Sequence, residues 1–157
     1  MAQDICVPVG DGVVNVRVGA IIEKNGRLLM VGNEKHDYVY SVGGRIQIGE
    51  SAEEAIVREV REETGVKSAR LLSEDIFSLE SLTVDGHEKR GAYVPSHLHL
   101  NLTYLLEADE HDALQLCEAE NSGVRWFPLE EALTAPSEPW MIERIYRKLN
   151  GKLPPLT

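Results

Sequence analysis

The chain of 157 residues is marked first by what it does not contain. No run approaches the roughly 18 apolar residues of a membrane-spanning helix, so no transmembrane segment is expected. The opening, MAQDICVPVGDG, lacks a basic n-region and a long apolar stretch, which argues against a secretory signal. Cysteine occurs twice, as Cys6 and Cys117, far apart and outside any CxxC pattern. Two lone thiols fit a reducing, cytoplasmic setting better than a disulfide scaffold. Positive charge is scarce: 16 Lys and Arg stand against 26 Asp and Glu, for a net charge of −10. Such a surface repels nucleic-acid polymers and anionic membranes, so neither is an expected partner. A small phosphate ester is repelled too, unless a metal ion and a few local cations reverse the field at one site. Internal repeats and low-complexity tracts are also missing. What remains, with 43% hydrophobic and 27% charged residues, is the composition of one soluble globular domain spanning 1–157.

The most informative stretch runs from Gly44 to Val66, GRIQIGESAEEAIVREVREETGV. Ser51 is the predicted N-cap, and Glu54 completes an S-x-x-E capping box. Gly65 is the predicted stop, because a left-handed conformation there is cheap only for glycine. The spacing therefore predicts a helix from about Ala52 to Thr64. At about 100° per residue, Ala52, Ala55, Ile56 and Val60 share one arc, expected to face a core. Glu59, Glu62 and Glu63 fall on or beside that arc, spaced i, i+3 and i+4, so their carboxylates converge. Glu54 and Arg61 point to water. Like charges at this spacing cost about 0.2–0.5 kcal/mol per pair even when exposed, and more when desolvated. A solvated acidic face is the plain alternative, but it leaves the glycines and Glu50 before the helix unexplained. The simplest compensation is a divalent cation: clustered carboxylate oxygens suit hard ions such as Mg²⁺ or Mn²⁺.

Elsewhere the pattern is mostly strand. Val13 to Ile22 is β-branched, Asn25-Gly26 signals a hairpin turn, and Leu28 to Val31 returns as a second strand. Arg17 or Arg27 on this hairpin could hold phosphate. Tyr38 to Val42 reads as a short strand leading into Gly43-Gly44, and Ala69 to Leu82 as strand and connection. Thr83 to Ser96 reads as a hairpin tip or surface loop. In His97 to Leu106, Leu98, Leu100, Leu102 and Tyr104 alternate with His97, His99, Asn101 and Thr103. One face is core and the other polar. H-x-H invites a zinc reading, but no third ligand stands at a familiar spacing. An acidic loop over 108–122 precedes a short strand, Val124 to Phe127. A short helix begins at Pro128, and a terminal helix is predicted over Pro139 to Leu149.

The central stretch resembles the Nudix hydrolases, whose pattern is G-x5-E-x7-R-E-U-x-E-E-x-G-U with U aliphatic. Gly44, Glu50, Arg58, Glu59, Val60, Glu62, Glu63, Gly65 and Val66 match all of its fixed positions. The resemblance implies an α/β fold, an α/β/α sandwich with a mixed β-sheet between helices. It implies Mg²⁺-dependent hydrolysis, with Mn²⁺ as a substitute, of a phosphoanhydride in a nucleoside diphosphate linked to another moiety. Glu62 and Glu63 would ligate metal together with the Gly43 carbonyl. Glu59 would be a further ligand or the base that orients water. Arg58 would bond to neighbouring glutamates, and Glu50 would support the metal site or simply favour the helix N-terminus. A further acid comes from the loop before the strand bearing Trp126, with Glu120 chosen and Glu118 in reserve. Nudix sheets present one face to the ligand, so Arg45, Tyr40, His99 and Asn101 are candidate substrate contacts. Tyr38, Tyr40 and Trp126 are candidates for a wall against the base. A homodimer is compatible with this reading.

The substrate expectation rests partly on absences. ADP-ribose and dinucleoside polyphosphate subgroups often carry a proline or a tyrosine fifteen or sixteen residues past the motif glycine. Here those positions are Glu80 and Ser81. A nucleoside triphosphate, intact or with a modified base, is the leading substrate, with ADP-ribose, a nucleotide sugar or a dinucleoside polyphosphate as alternatives. A Nudix fold that senses a nucleotide without cleaving it is the rival class.

Overall fold

In the computed structural model, residues 3–33, 38–84, 86–89, 91–115, 123–132 and Lys148 are described. Strands β1 (Cys6–Val9) and β2 (Gly12–Lys24) pair antiparallel, and Asn25-Gly26 turns the chain into β3 (Arg27–Asn33). Both turn residues have positive φ, 51° and 79°, as a type I′ hairpin turn requires. β4 (Tyr38–Ser41) pairs with β3, and β5 (Gly43–Arg45) pairs with β2. The predicted strand 38–42 therefore stops one residue early. Val42 is fully buried between the two strands, and its carbonyl accepts from the Ala20 N–H at 2.8 Å.

The helix α1 (Ala52–Thr64) has the predicted bounds. The Ser51 hydroxyl accepts from the Glu54 N–H at 3.1 Å, and Gly65, at φ 76°, donates its N–H to the Arg61 carbonyl at 3.0 Å. A side chain at position 65 would also collide with Gln115, whose Cβ lies 2.5 Å from the added carbon. The apolar arc works as its spacing predicts. Ala55, Ile56 and Val60 are wholly buried in one cluster with Val18, Ala20, Ile22, Val42, Tyr104 and Leu106.

The remaining elements are β6 (Arg70–Leu71), β7 (Ser78–Val84), β8 (His87–Lys89), β9 (Ala92–Val94), β10 (His97–Glu107), β11 (Gly123–Pro128) and α2 (Leu129–Ala132). Of the expected hairpin tip or surface loop over 83–96, Thr83 and Val84 end β7 in the main sheet, and β8 and β9 form a separate two-stranded unit. The main sheet runs β11-β3-β2-β10-β6, with β1 and β5 also on β2, β4 on β3 and β7 on β10. β10 lies parallel to β2 and antiparallel to β7, so the sheet is mixed. The fold is α/β. Of the predicted terminal helix, and so of the second helical layer, only Lys148 lies among the described residues. Among the described residues, no helix is long and apolar enough to cross a membrane.

The β2–β10 register positions the site. Val18, Ala20 and Ile22 of β2 pack in the cluster that holds α1. Asn15, Arg17 and Gly19 alternate to the opposite face, where they stand level with His99, Asn101 and Thr103 of β10.

Candidate active site

Arg58 organises the acids around it. It leaves α1 nearly two turns after the start and forks toward the preceding loop. Nε and Nη2 donate to the two Glu50 oxygens at 3.0 and 2.6 Å. Nη1 donates to Glu59 at 2.8 Å and to Glu62 at 3.3 Å, and Nη2 also reaches the Arg45 carbonyl at 3.0 Å. The expected Arg58–Glu62 contact is thus present, but it is the outermost of the set. Glu50 is held below the usual carboxylate range, chiefly by its hydrogen bonds from Arg58, while the same bonds push the Arg58 guanidinium upward. Glu50 also accepts the Gln47 N–H at 2.8 Å, so it closes the loop between β5 and the helix.

Two glycines let this assembly close. A Cβ on Gly44 would fall 2.2 to 2.4 Å from the Glu59 carboxyl group. A Cβ on Gly43 would fall 2.4 Å from the Val18 carbonyl oxygen. Gly43 packs strand on strand; Gly44 admits a carboxylate against the backbone.

The three motif acids do not all face inward. Glu59 and Glu63 are buried, whereas the Glu62 side chain is 61% exposed. Helical geometry is the reason: residues 59 and 63 lie about 40° apart around the axis, while 62 lies about 100° from 63. Among the described residues, no three His, Cys, Asp or Glu side chains form a ready-made metal cage. The donor chemistry still fits a hard cation. Glu59 and Glu62 already share one cationic nitrogen, and every candidate ligand atom is an oxygen.

The polar sheet face carries the other candidates. The Asn101 amide donates to the Thr103 hydroxyl at 3.0 Å, and that amide fills the space a side chain on Gly19 would need. The His97 and His99 rings meet with their Nε2 atoms 3.0 Å apart. His99 is pushed down from 6.5 to about 4 by burial first, then by Arg17, His97 and Arg45. The unfolded chain therefore binds this proton first. The His99 contribution to stability is complete above pH 6.5 and is lost as pH falls toward 4. Thermal melts between these limits are expected to show this slope, and His99→Gln is expected to flatten it; an imidazole titrating near 6.5 by NMR would refute the assignment.

Other candidates land differently. Arg27 forms an ion pair with Glu110, with Asn25 donating to the same carboxylate at 2.9 Å, so in this structure it ties the hairpin turn to the segment after β10. Tyr40 and Trp126 pack against the core cluster. The Tyr38 side chain, Glu118 and Glu120 lie outside the described residues. A Ser78–Glu80–Lys148 group was not foreseen. Glu80 accepts from Ser78 at 2.5 Å and from Lys148 at 2.8 Å, and it stands level with Asn101 across β7–β10. Asn15 was also missed; its Oδ1 is buried without a hydrogen-bond partner among the described residues. No local pattern marks either one, since their surroundings come from strands distant in sequence.

The family model described as NUDIX domain matches residues 13–149. CTP pyrophosphohydrolase of Escherichia coli is 29% identical over 113 residues, covering 67% of this chain and 76% of that protein. ADP-ribose pyrophosphatase of Methanocaldococcus jannaschii is 39% identical over 54 residues, a match spanning only 32% of each chain. A solved Nudix-family hydrolase from Clostridium perfringens superposes with a TM-score of 0.63 at 17% identity, over 87% of this chain and 96% of that one. That last likeness speaks for the fold alone. Because the family match takes in the helix, both glycines and the arginine fork in one continuous span, the chain belongs to the Nudix hydrolase family.

Proposed function

We propose that this protein hydrolyses a phosphoanhydride in a nucleoside triphosphate, with an intact or modified base, to the monophosphate and pyrophosphate. What carries this reading is the Arg58 fork, which gathers Glu50, Glu59 and Glu62 beside the Gly44 backbone. Glu59, Glu62 and Glu63, with the Gly43 carbonyl, would hold Mg²⁺, or Mn²⁺ in its place. Bound there, the cation supplies neutralisation of charge developing on the phosphates and a more acidic water. Glu59 is either a ligand or the base that takes the proton from the attacking water. Arg58 is a positioning residue: it fixes Glu50 and Glu59 and does not need to touch substrate. Glu120 would add a further acid from its loop. Arg45, Tyr40, His99 and Asn101 would contact the remainder of the nucleotide.

The similarity to a CTP pyrophosphohydrolase over two thirds of the chain supports a triphosphate. The shorter similarity to an ADP-ribose pyrophosphatase supports the second reading, a nucleoside diphosphate linked to a sugar. A panel of triphosphates, oxidised triphosphates, ADP-ribose and diadenosine polyphosphates, with Mg²⁺ or Mn²⁺, tests both. At least one triphosphate is expected to give the highest kcat/KM. A tenfold preference for ADP-ribose or a diadenosine polyphosphate, about 1.4 kcal/mol of transition-state discrimination, would replace the substrate assignment. Metal-dependent nucleotide binding with no turnover of any compound would make the protein a sensor.

A further inference from the structure

We propose that Arg17 and Arg45, walled by the His97–His99 pair, form an anion seat at the β5 edge that holds the terminal phosphate of a polyphosphate substrate. The seat rests on the hydrolase reading above and narrows it to substrates that carry a third phosphate beyond the two of the nucleoside diphosphate.

Arg17 on β2 and Arg45 on β5 are register partners, so they stand side by side on one sheet face. Like charges opposite each other on paired strands destabilise a sheet. Burial lowers the Arg17 pKa most, Arg45 lowers it next, and Glu59 and Glu63 offset part of this. The same field reaches β10, where both arginines oppose charge on His99. Three strands thus focus positive potential at one place in a chain whose net charge is −10. The scaffold gains little from this. Asp4 reaches Arg45 at 3.4 Å, but both side chains are exposed, and such pairs contribute little. A bridging anion turns the repulsion into binding. A metal at the two imidazoles would meet the same field as repulsion.

The position relative to the glutamates makes the anion a phosphate of the same substrate. The Arg45 carbonyl is bonded to Arg58, the residue that holds Glu59 and Glu62. Its side chain stands beside Arg17. β5 is three residues long, so the acids and the cations lie on two sides of one short strand. A substrate held at the glutamates by its first two phosphates presents the next one to this edge. A neutral sugar in that position gives the arginines nothing to pair with.

The test compares kcat/KM for a nucleoside triphosphate with that for ADP-ribose in the parent, Arg17→Gln, Arg45→Gln and Arg17→Lys, with melting curves as a fold control. The triphosphate-to-ADP-ribose ratio is expected to fall at least tenfold in both glutamine variants and to recover in Arg17→Lys. Equal losses on both substrates, or no loss, would overturn the seat. A second arm measures inorganic tripolyphosphate binding by calorimetry in EDTA, where the glutamates have no cation bridge. Arg45→Gln, at an exposed side chain, keeps this arm readable if Arg17→Gln does not fold. Binding weakened at least tenfold in either folded variant supports the seat, even if no nucleotide is cleaved and the hydrolase reading fails. Unchanged binding in both variants overturns the seat, even if triphosphates are cleaved.

Discussion

Glu62→Gln is expected to lower kcat at least about a hundredfold at saturating Mg²⁺, while the melting temperature stays within about 2 °C of the parent. The two halves of this result have separate causes. The Glu62 side chain is largely exposed, and its contact with Arg58 is a long one at 3.3 Å. Exposed i, i+4 pairs contribute about 0.3–0.5 kcal/mol, so the fold loses little. The catalytic half follows from the proposed role of its carboxylate oxygens on the metal. Glu54→Gln, exposed on the same helix, controls for a change of charge and is expected to turn over normally. Glu59→Gln is a less clean test, because Glu59 is buried and bonded to Arg58, so loss of activity there mixes with a local rearrangement. Full turnover in excess EDTA, or in both Glu62→Gln and Glu63→Gln, would remove the metal from the mechanism.

Arg58→Met is expected to be the most destabilising single change in the site, by about 3 kcal/mol, or roughly 6–12 °C in melting temperature. The guanidinium is mostly enclosed and serves two mostly buried carboxylates and a backbone carbonyl. Its removal leaves Glu50 and Glu59 close together without their cation. Lysine is expected to restore less than half of the loss, since one ammonium cannot reproduce a fork that bonds on both sides. The pH dependence gives an independent reading. Arg58 depresses the folded pKa of Glu50 below its unfolded value. That stabilisation is present above the ordinary carboxylate range and disappears as pH falls through the depressed value. The difference in unfolding free energy between parent and variant should therefore shrink on acidification. A difference below about 0.5 kcal/mol at neutral pH would show that the fork is incidental to stability.

The sequence by itself determined α1 almost to the residue. Its signals act within one or two turns: Ser51 before the first turn, an apolar residue on every turn, Gly65 after the last. The strand over His97 to Leu106 was equally legible, but its burial was not: Leu98, Leu100 and Leu102 are half-buried like their polar neighbours, and Thr103 on the polar face is buried. The Arg58–Glu62 contact could be read as an i, i+4 pair on the same grounds. The stronger Arg58–Glu50 pair depends instead on how the loop after β5 folds back on the helix, which no period encodes. Strand alternation also left the polar face without neighbours. Only the parallel β2–β10 pairing sets Asn101 level with Arg17, and only the β2–β5 pairing sets Arg45 beside it. Glu80 meets Ser78 and Lys148 for the same kind of reason. Caps and faces are decided by neighbours in sequence. Register and strand order are decided by which distant segments bury the apolar face together, so the tertiary structure alone set Arg17, Arg45 and Asn101 at neighbouring positions on three paired strands.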